Sequence, residues 1–217
     1  MDMRISIAVL ILCVMVSCGQ EKKYHDAKPN IESMTKSDKL ADILLFQEEL
    51  NAEFKNPESS PLPDRFRINF ESLEFFEPDT NYIVEAELVR TPEALPFSMP
   101  TTTTGRESTE VVYGIAKFTL NGKDHKLEIY QSPELITQAE YEDYLFLPFT
   151  DNTNGEETYG GGRYLDLRIP KGNKIILNFN KAYNPYCAYN KKFSCPIVPK
   201  VNNLDTEIKV GVKAFEY

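Results

Sequence analysis

Val111-Val112-Tyr113-Gly114-Ile115-Ala116-Lys117-Phe118-Thr119-Leu120-Asn121-Gly122-Lys123-Asp124-His125-Lys126-Leu127-Glu128-Ile129-Tyr130 is the stretch whose reading decides the fold. A long run of β-branched and aromatic residues meets Asn121-Gly122, and an apolar–polar run resumes at Lys126. Asn-Gly is a strong turn signal between two such runs, so the segment predicts an antiparallel hairpin. No helix intervenes, as it would in a parallel βαβ unit.

The same two-residue period extends outward on both sides. Phe66, Ile68 and Phe70 alternate with Arg67 and Asn69. Further strands are expected at residues 82–89, 144–149, 163–169, 174–180 and 207–215. Pro92, Pro96, Pro100 and the run of threonines at 101–104 predict a long loop. Upstream, the period is helical: Ser37 and Asp38 supply a cap, Leu40, Ile43, Leu44, Leu50 and Phe54 fall on roughly one face, and Asn56-Pro57 ends the helix. Short strands, one helix and no internal repeat predict a mainly β fold. That fold is a single antiparallel β-sandwich or partly open barrel with one N-terminal helix, over residues 37–217.

The amino terminus carries a different signal. Arg4 precedes an apolar run from Ile5 to Val16, too short to cross a membrane but suited to a signal peptide. The run ends in Met15-Val16-Ser17-Cys18, which resembles the lipobox of bacterial lipoproteins. An ordinary signal peptide or a buried strand is the alternative, and the polar stretch from Gly19 to Lys23 weighs against it. Residues 1–17 are thus expected to be a lipoprotein signal peptide, Cys18 the lipidated residue, and residues 18–36 a tether. Partnership with a membrane through that lipid, in the bacterial cell envelope, follows. Glycine after Cys18 favours the outer membrane, by analogy with other lipoproteins.

A net charge of −9 argues against nucleic acid as a partner and against electrostatic adhesion to anionic lipid. With Cys13 in the signal and Cys18 lipidated, Cys187 and Cys195 are the remaining pair of cysteines. In an oxidising envelope two cysteines closing so short a loop read first as a disulfide, with buried thiols as the alternative.

Two segments look unlike ordinary connections. Residues 149–164 bring Asp151, Glu156, Glu157, Gly160-Gly161-Gly162 and Arg163 together, and residues 178–190 are dense in asparagine and tyrosine. The pattern Asp151…Thr153…Gly155…Thr158-Tyr159-Gly160…Gly162-Arg163-Tyr164-Leu165, then Phe179-Asn180…Ala182-Tyr183-Asn184-Pro185…Cys187-Ala188-Tyr189…Cys195-Pro196, resembles a family catalogued as a domain of unknown function, number 1684. Ser60-Pro61-Leu62 and Asn203-Leu204 add to the resemblance, which covers most of residues 37–213. It implies a fold neighbourhood and no activity. The chain departs from the pattern with Asn178 in place of Asp and Gly211-Val212 in place of Gly-Glu.

For chemistry, the glycines could expose amides to an anion beside Arg163, or simply permit a turn. The acidic residues of the loop do not have EF-hand spacing, since Gly155 comes one position early and Gly162 stands where the last glutamate belongs. Two histidines in the whole chain exclude a multi-histidine zinc site, and no Gly-x-Ser-x-Gly elbow is present. No metal and no other cofactor is expected. The leading expectation is a small polar or anionic ligand bound by Asp151, Glu157, Arg163, Asn180, Tyr183 and Asn184. A hydrolase using the loop carboxylates is the second reading, and a purely structural or protein-binding domain is the third.

Overall fold

The computed structural model describes residues 34–216. The expected signal peptide, Cys18 and the tether as far as residue 33 lie outside the described residues.

Helix α1 (Lys36–Lys55) begins on a capping box: the Asp38 amide donates to the Thr35 hydroxyl at 3.2 Å, and the Thr35 amide donates to the Asp38 carboxylate at 3.0 Å. Thr35, rather than Ser37 or Asp38, is therefore the cap. The buried stripe is Ile43, Phe46, Leu50 and Phe54, spaced three and four residues apart. Leu40 and Leu44, expected on that stripe, are 39% and 49% exposed. The helix stops at Asn56, before Pro57, as expected.

The alternation at 66–70 does not make a strand. Pro63 sets the chain up for a short helix α2 (Asp64–Arg67), held by an Asp64–Arg67 ion pair at 3.0 Å. Ile68 is consequently 72% exposed instead of sharing a buried face with Phe66 and Phe70.

Seven strands follow: β1 (Ile83–Arg90), β2 (Phe97–Pro100), β3 (Glu107–Leu120), β4 (Lys123–Gln131), β5 (Tyr144–Phe149), β6 (Arg163–Arg168) and β7 (Lys174–Asn178). Their order is β6-β5-β4-β3-β1-β7, with β2 added to β3 inside the expected long loop. All the strand pairs are antiparallel. The predicted hairpin is β3–β4: Leu120 faces Lys123, and Asn121 and Gly122 take φ of 52° and 75°.

Beyond β7 the chain makes a 3-10 turn (Phe179–Lys181) and returns to the free edge of β6. There Tyr164 and Tyr183 exchange both backbone hydrogen bonds, at 2.9 and 3.1 Å. The antiparallel sheet thereby nearly closes into a barrel, the second of the two architectures expected. Alternate residues such as Ala86, Ala116, Ile129, Leu145, Leu147 and Leu177 fill its interior. Helix α1 covers part of the outside, where Phe46, Leu50 and Phe54 pack with Tyr189 and Val212. Every residue of β5 is buried, because Tyr144 and Phe146 pack in a further cluster with Met99, Tyr130 and Tyr164.

Residues 207–215 also differ from expectation. Ile208, Val210 and Val212 are buried, in keeping with a two-residue period, but the segment pairs only through an isolated bridge between Phe75 and Val212. The Ile208 and Val210 carbonyls are taken by the Arg163 guanidinium instead of by a strand neighbour. Gly211, at a φ of 81°, interrupts the extended backbone between them and Val212.

Candidate functional site

Arg163 opens β6 and turns inward, with none of its side chain exposed. Its Nη2 donates to Asp151 Oδ2 and to the Ile208 carbonyl, both at 2.8 Å, while Nη1 donates to the Val210 carbonyl at 2.5 Å. Asp151 Oδ1 accepts from the Thr153 amide at 3.0 Å, the Thr153 hydroxyl at 2.6 Å and the Ile208 amide at 3.1 Å. Burial favours loss of the Arg163 proton, and the carboxylate of Asp151 opposes that. The pair ties the β5–β6 loop to residues 208–210 deep inside the protein. The glycines before it serve the turn. Gly162 has a φ of 91°, its amide donates to the Tyr159 carbonyl at 3.1 Å, and a Cβ there would lie 2.6 Å from the Phe149 carbonyl.

The remaining predicted residues do not gather around Arg163. Glu157 pairs with Lys209 at 3.0 Å on the surface. Asn180 accepts from the Asp79 amide at 2.8 Å and donates to the Asp79 carbonyl at 2.9 Å. Asn184 donates to the Lys213 carbonyl at 2.8 Å. Both asparagines thus satisfy backbone groups. Tyr183 points elsewhere, into a cavity on the outer face of β6.

The expected disulfide is corrected: Cys187 and Cys195 are free thiols. Cys195 Sγ accepts the Cys187 amide at 3.1 Å instead of bonding to the Cys187 sulfur. Among the described residues no three His, Cys, Asp or Glu side chains gather where they could hold a metal ion.

The cavity measures about 310 Å³ and lies between α1, β6 and the segment at 183–196. Helix α1 contributes Leu50 and Glu53, and β6 contributes Tyr164 and Asp166. These two β6 residues face outward because Leu165 and Leu167, between and beyond them, take the barrel interior. Tyr183, Pro185, Tyr186, Phe193, Ser194, Cys195 and Pro196 form the opposite wall, with Tyr141 alongside. Tyr144 and Tyr183 each donate a phenol hydrogen bond to Asp166 Oδ1 at 2.7 Å. Tyr186 donates to Glu53, and Tyr164 to the Pro196 carbonyl. Burial, followed by the charge of Asp166, pushes the Tyr144 and Tyr183 phenols well above their ordinary pKa. Both therefore remain donors, which fixes the orientation of the Asp166 carboxylate.

The lining carries two carboxylates and five aromatic rings, with no Lys, Arg or His. Arg168, next on the outward face of β6, bonds to Asp143 at 2.6 Å and to the Glu140 carbonyl at 3.1 Å. The lining is thus aromatic with two carboxylates, and the Arg168 charge reaches Tyr141 alongside that of Asp166.

Sequence reasoning reached Tyr183 and the segment around it but missed Glu53, Tyr164 and Asp166. A signal for the last two existed. Leu165 and Leu167 alternate with Tyr164, Asp166 and Arg168, so the sequence holds an outward strand face mixing an aromatic ring with charge. Glu53 sits three residues after Leu50, close to the buried stripe of α1. Nothing local to either segment joins them.

Similar proteins add fold and family. A solution NMR structure of an uncharacterized protein from gene locus rrnAC0354 of Haloarcula marismortui matches with a TM-score of 0.63 and 32% identity, over 82% of this chain and 95% of that one. No curated protein is significantly similar to the chain. The β-rich architecture, this structural neighbour and a family match over residues 68–213 agree, and the chain belongs to the family described as Protein of unknown function (DUF1684).

Proposed function

We propose that the chain is a lipid-anchored protein of the bacterial cell envelope whose barrel binds a small organic cation in the cavity between α1, β6 and residues 183–196. The observation that carries the binding reading is the lining: tyrosine and phenylalanine rings around Asp166 and Glu53, with no basic side chain. Aromatic faces attract a cation through their quadrupoles, by about 0.5–2 kcal/mol each. Two carboxylates add a charge term that a neutral ligand lacks and an anion reverses. A volume of about 310 Å³ suits an ammonium head with a short apolar body. The leading expectation from sequence, a polar or anionic ligand held by Arg163, gives way here to a cation held by Asp166.

Isothermal titration of the full-length protein with choline, glucose and acetate tests this reading. Choline is expected to give saturable heat, and Asp166→Asn to weaken it by about tenfold, the equivalent of ~1.4 kcal/mol. Absence of saturable choline binding, equal binding of acetate, or an unchanged affinity in Asp166→Asn overturns it.

A further inference from the structure

The two thiols, of which Cys195 lines this cavity, answer to a different chemistry. Cys187 belongs to a 3-10 turn (Tyr186–Ala188) and is half-buried, whereas Cys195 is 7% exposed and lines the cavity. Cys195 is held rigidly. Its amide donates to the Thr102 hydroxyl at 3.1 Å, its carbonyl accepts from the Thr102 amide at 2.9 Å, and Thr101 bridges to Pro196. Cys187 sits against it, with its own amide on Cys195 Sγ at 3.1 Å, and the Tyr159 hydroxyl lies 3.9 Å from Cys187 Sγ. One half-buried cysteine, one buried cysteine beside it and a phenol near the half-buried one make an asymmetric pair.

We propose that Cys187 and Cys195 form a dithiol site oxidised by small hydroperoxides, in which Cys187 attacks and Cys195 resolves. The Cys187 thiolate attacks one peroxide oxygen. The O–O bond breaks, the other oxygen leaves with a proton as water or an alcohol, and Cys187 becomes a sulfenic acid. The Cys195 sulfur then attacks the Cys187 sulfur, a disulfide forms and water leaves, so that the pair gives up two electrons to one peroxide. A dithiol reductant returns both electrons and both protons.

Three features support this division of labour. Hydrogen bonding from Cys195, and then from Tyr159 and Thr102, lowers the Cys187 pKa to about 6 against the opposing effect of burial. The same hydrogen bond and burial push the Cys195 thiol up, outweighing the Cys187 amide. The two shifts run in opposite directions and favour Cys187 as the thiolate of the pair, with the proton kept on Cys195. The Cys195 sulfur also already lies against the Cys187 backbone, so the two residues are neighbours before the bond closes. The inference does not depend on what the neighbouring cavity binds.

The experiment uses the reduced full-length protein, treated with one equivalent of hydrogen peroxide, then alkylated, digested and analysed by mass spectrometry of the peptides that contain the two residues. The expected result is loss of alkylation at both and their recovery as one linked peptide that dithiothreitol separates in the native protein. In Cys195→Ser, dimedone is expected to trap a sulfenic acid on Cys187. In Cys187→Ser, Cys195 is expected to stay unoxidised. The rate of Cys187 alkylation in wild type should rise through a midpoint near pH 6, and Tyr159→Phe should move that midpoint upward. Full alkylation of both cysteines after peroxide, a dimedone adduct on Cys195 and none on Cys187, or a linked peptide that native dithiothreitol leaves intact overturns the proposal.

Discussion

Arg163 is the largest side chain among the described residues with less than 2% exposure, and its charge is balanced inside the protein by Asp151. A buried pair of this kind costs desolvation, so its presence alone does not measure stability. Breaking it is another matter, since either single variant leaves an uncompensated group where water does not reach. Arg163→Gln and Asp151→Asn are each expected to lower unfolding stability by about 3–5 kcal/mol, read by urea denaturation. Glu157→Gln, which loses only a surface contact with Lys209, is expected to change it by less than about 1 kcal/mol. Equal effects from the buried and the surface variants would contradict the architectural role of Arg163. Sequence made Arg163 and Asp151 conspicuous for a sound reason, because the spacing of an acid and a base around a glycine turn does bring them together. It could not show that the Ile208 and Val210 carbonyls share the guanidinium with Asp151, because those groups come from a segment some 45 residues downstream in the chain.

At the scale of elements, legibility followed how local the determining contacts are. The β3–β4 hairpin was readable because Asn121-Gly122 sets its register within the turn itself. Residues 66–70 misled because two-residue alternation was weighed without the Pro61-Leu62-Pro63 run before them, which starts a helix. Helix α1 was predicted with the right C-terminal end, but with its cap two to three residues late and part of the wrong face. Its covered side is set by Tyr189 and Val212, far along the chain, and not by the richest row of leucines. Phe54 packs edge-on against Tyr189 with ring centroids 4.7 Å apart and is 1% exposed, so Phe54→Ala is expected to cost about 3–5 kcal/mol. Leu44 is half exposed, and Leu44→Lys is expected to stay within about 0.5 kcal/mol of wild type. Chemical denaturation of the two variants side by side checks the assignment of the face, and a larger loss from Leu44→Lys would reverse it.

For the whole molecule, the division is between a scaffold and what is fastened to it. Near-closure of the barrel through Tyr164 and Tyr183 covers the sheet edge that β6 would otherwise expose, and it brings the segment at 183–196 beside the outward face of β6 that carries Asp166. The candidate cavity thus exists because the barrel closes, with walls from residues as distant as Glu53 and Pro196. That distance is why a chain read segment by segment yielded Tyr183 and not the site. The proposed attachment belongs to its first residues. No described helix is long and apolar enough to cross a membrane. Under the proposed reading, the Met15-Val16-Ser17-Cys18 motif marks Cys18 for a thioether-linked lipid that would do the anchoring. A negatively charged chain gains nothing from anionic headgroups, so removing that lipid should remove the attachment as a whole. Cys18→Ala expressed in a bacterial host is expected to leave the membrane fraction for the soluble envelope fraction, or to accumulate as unprocessed precursor. Metabolic labelling with a fatty acid should mark wild type alone. A Cys18→Ala protein of mature size that still sediments with membranes would show that something other than this cysteine holds the chain in place.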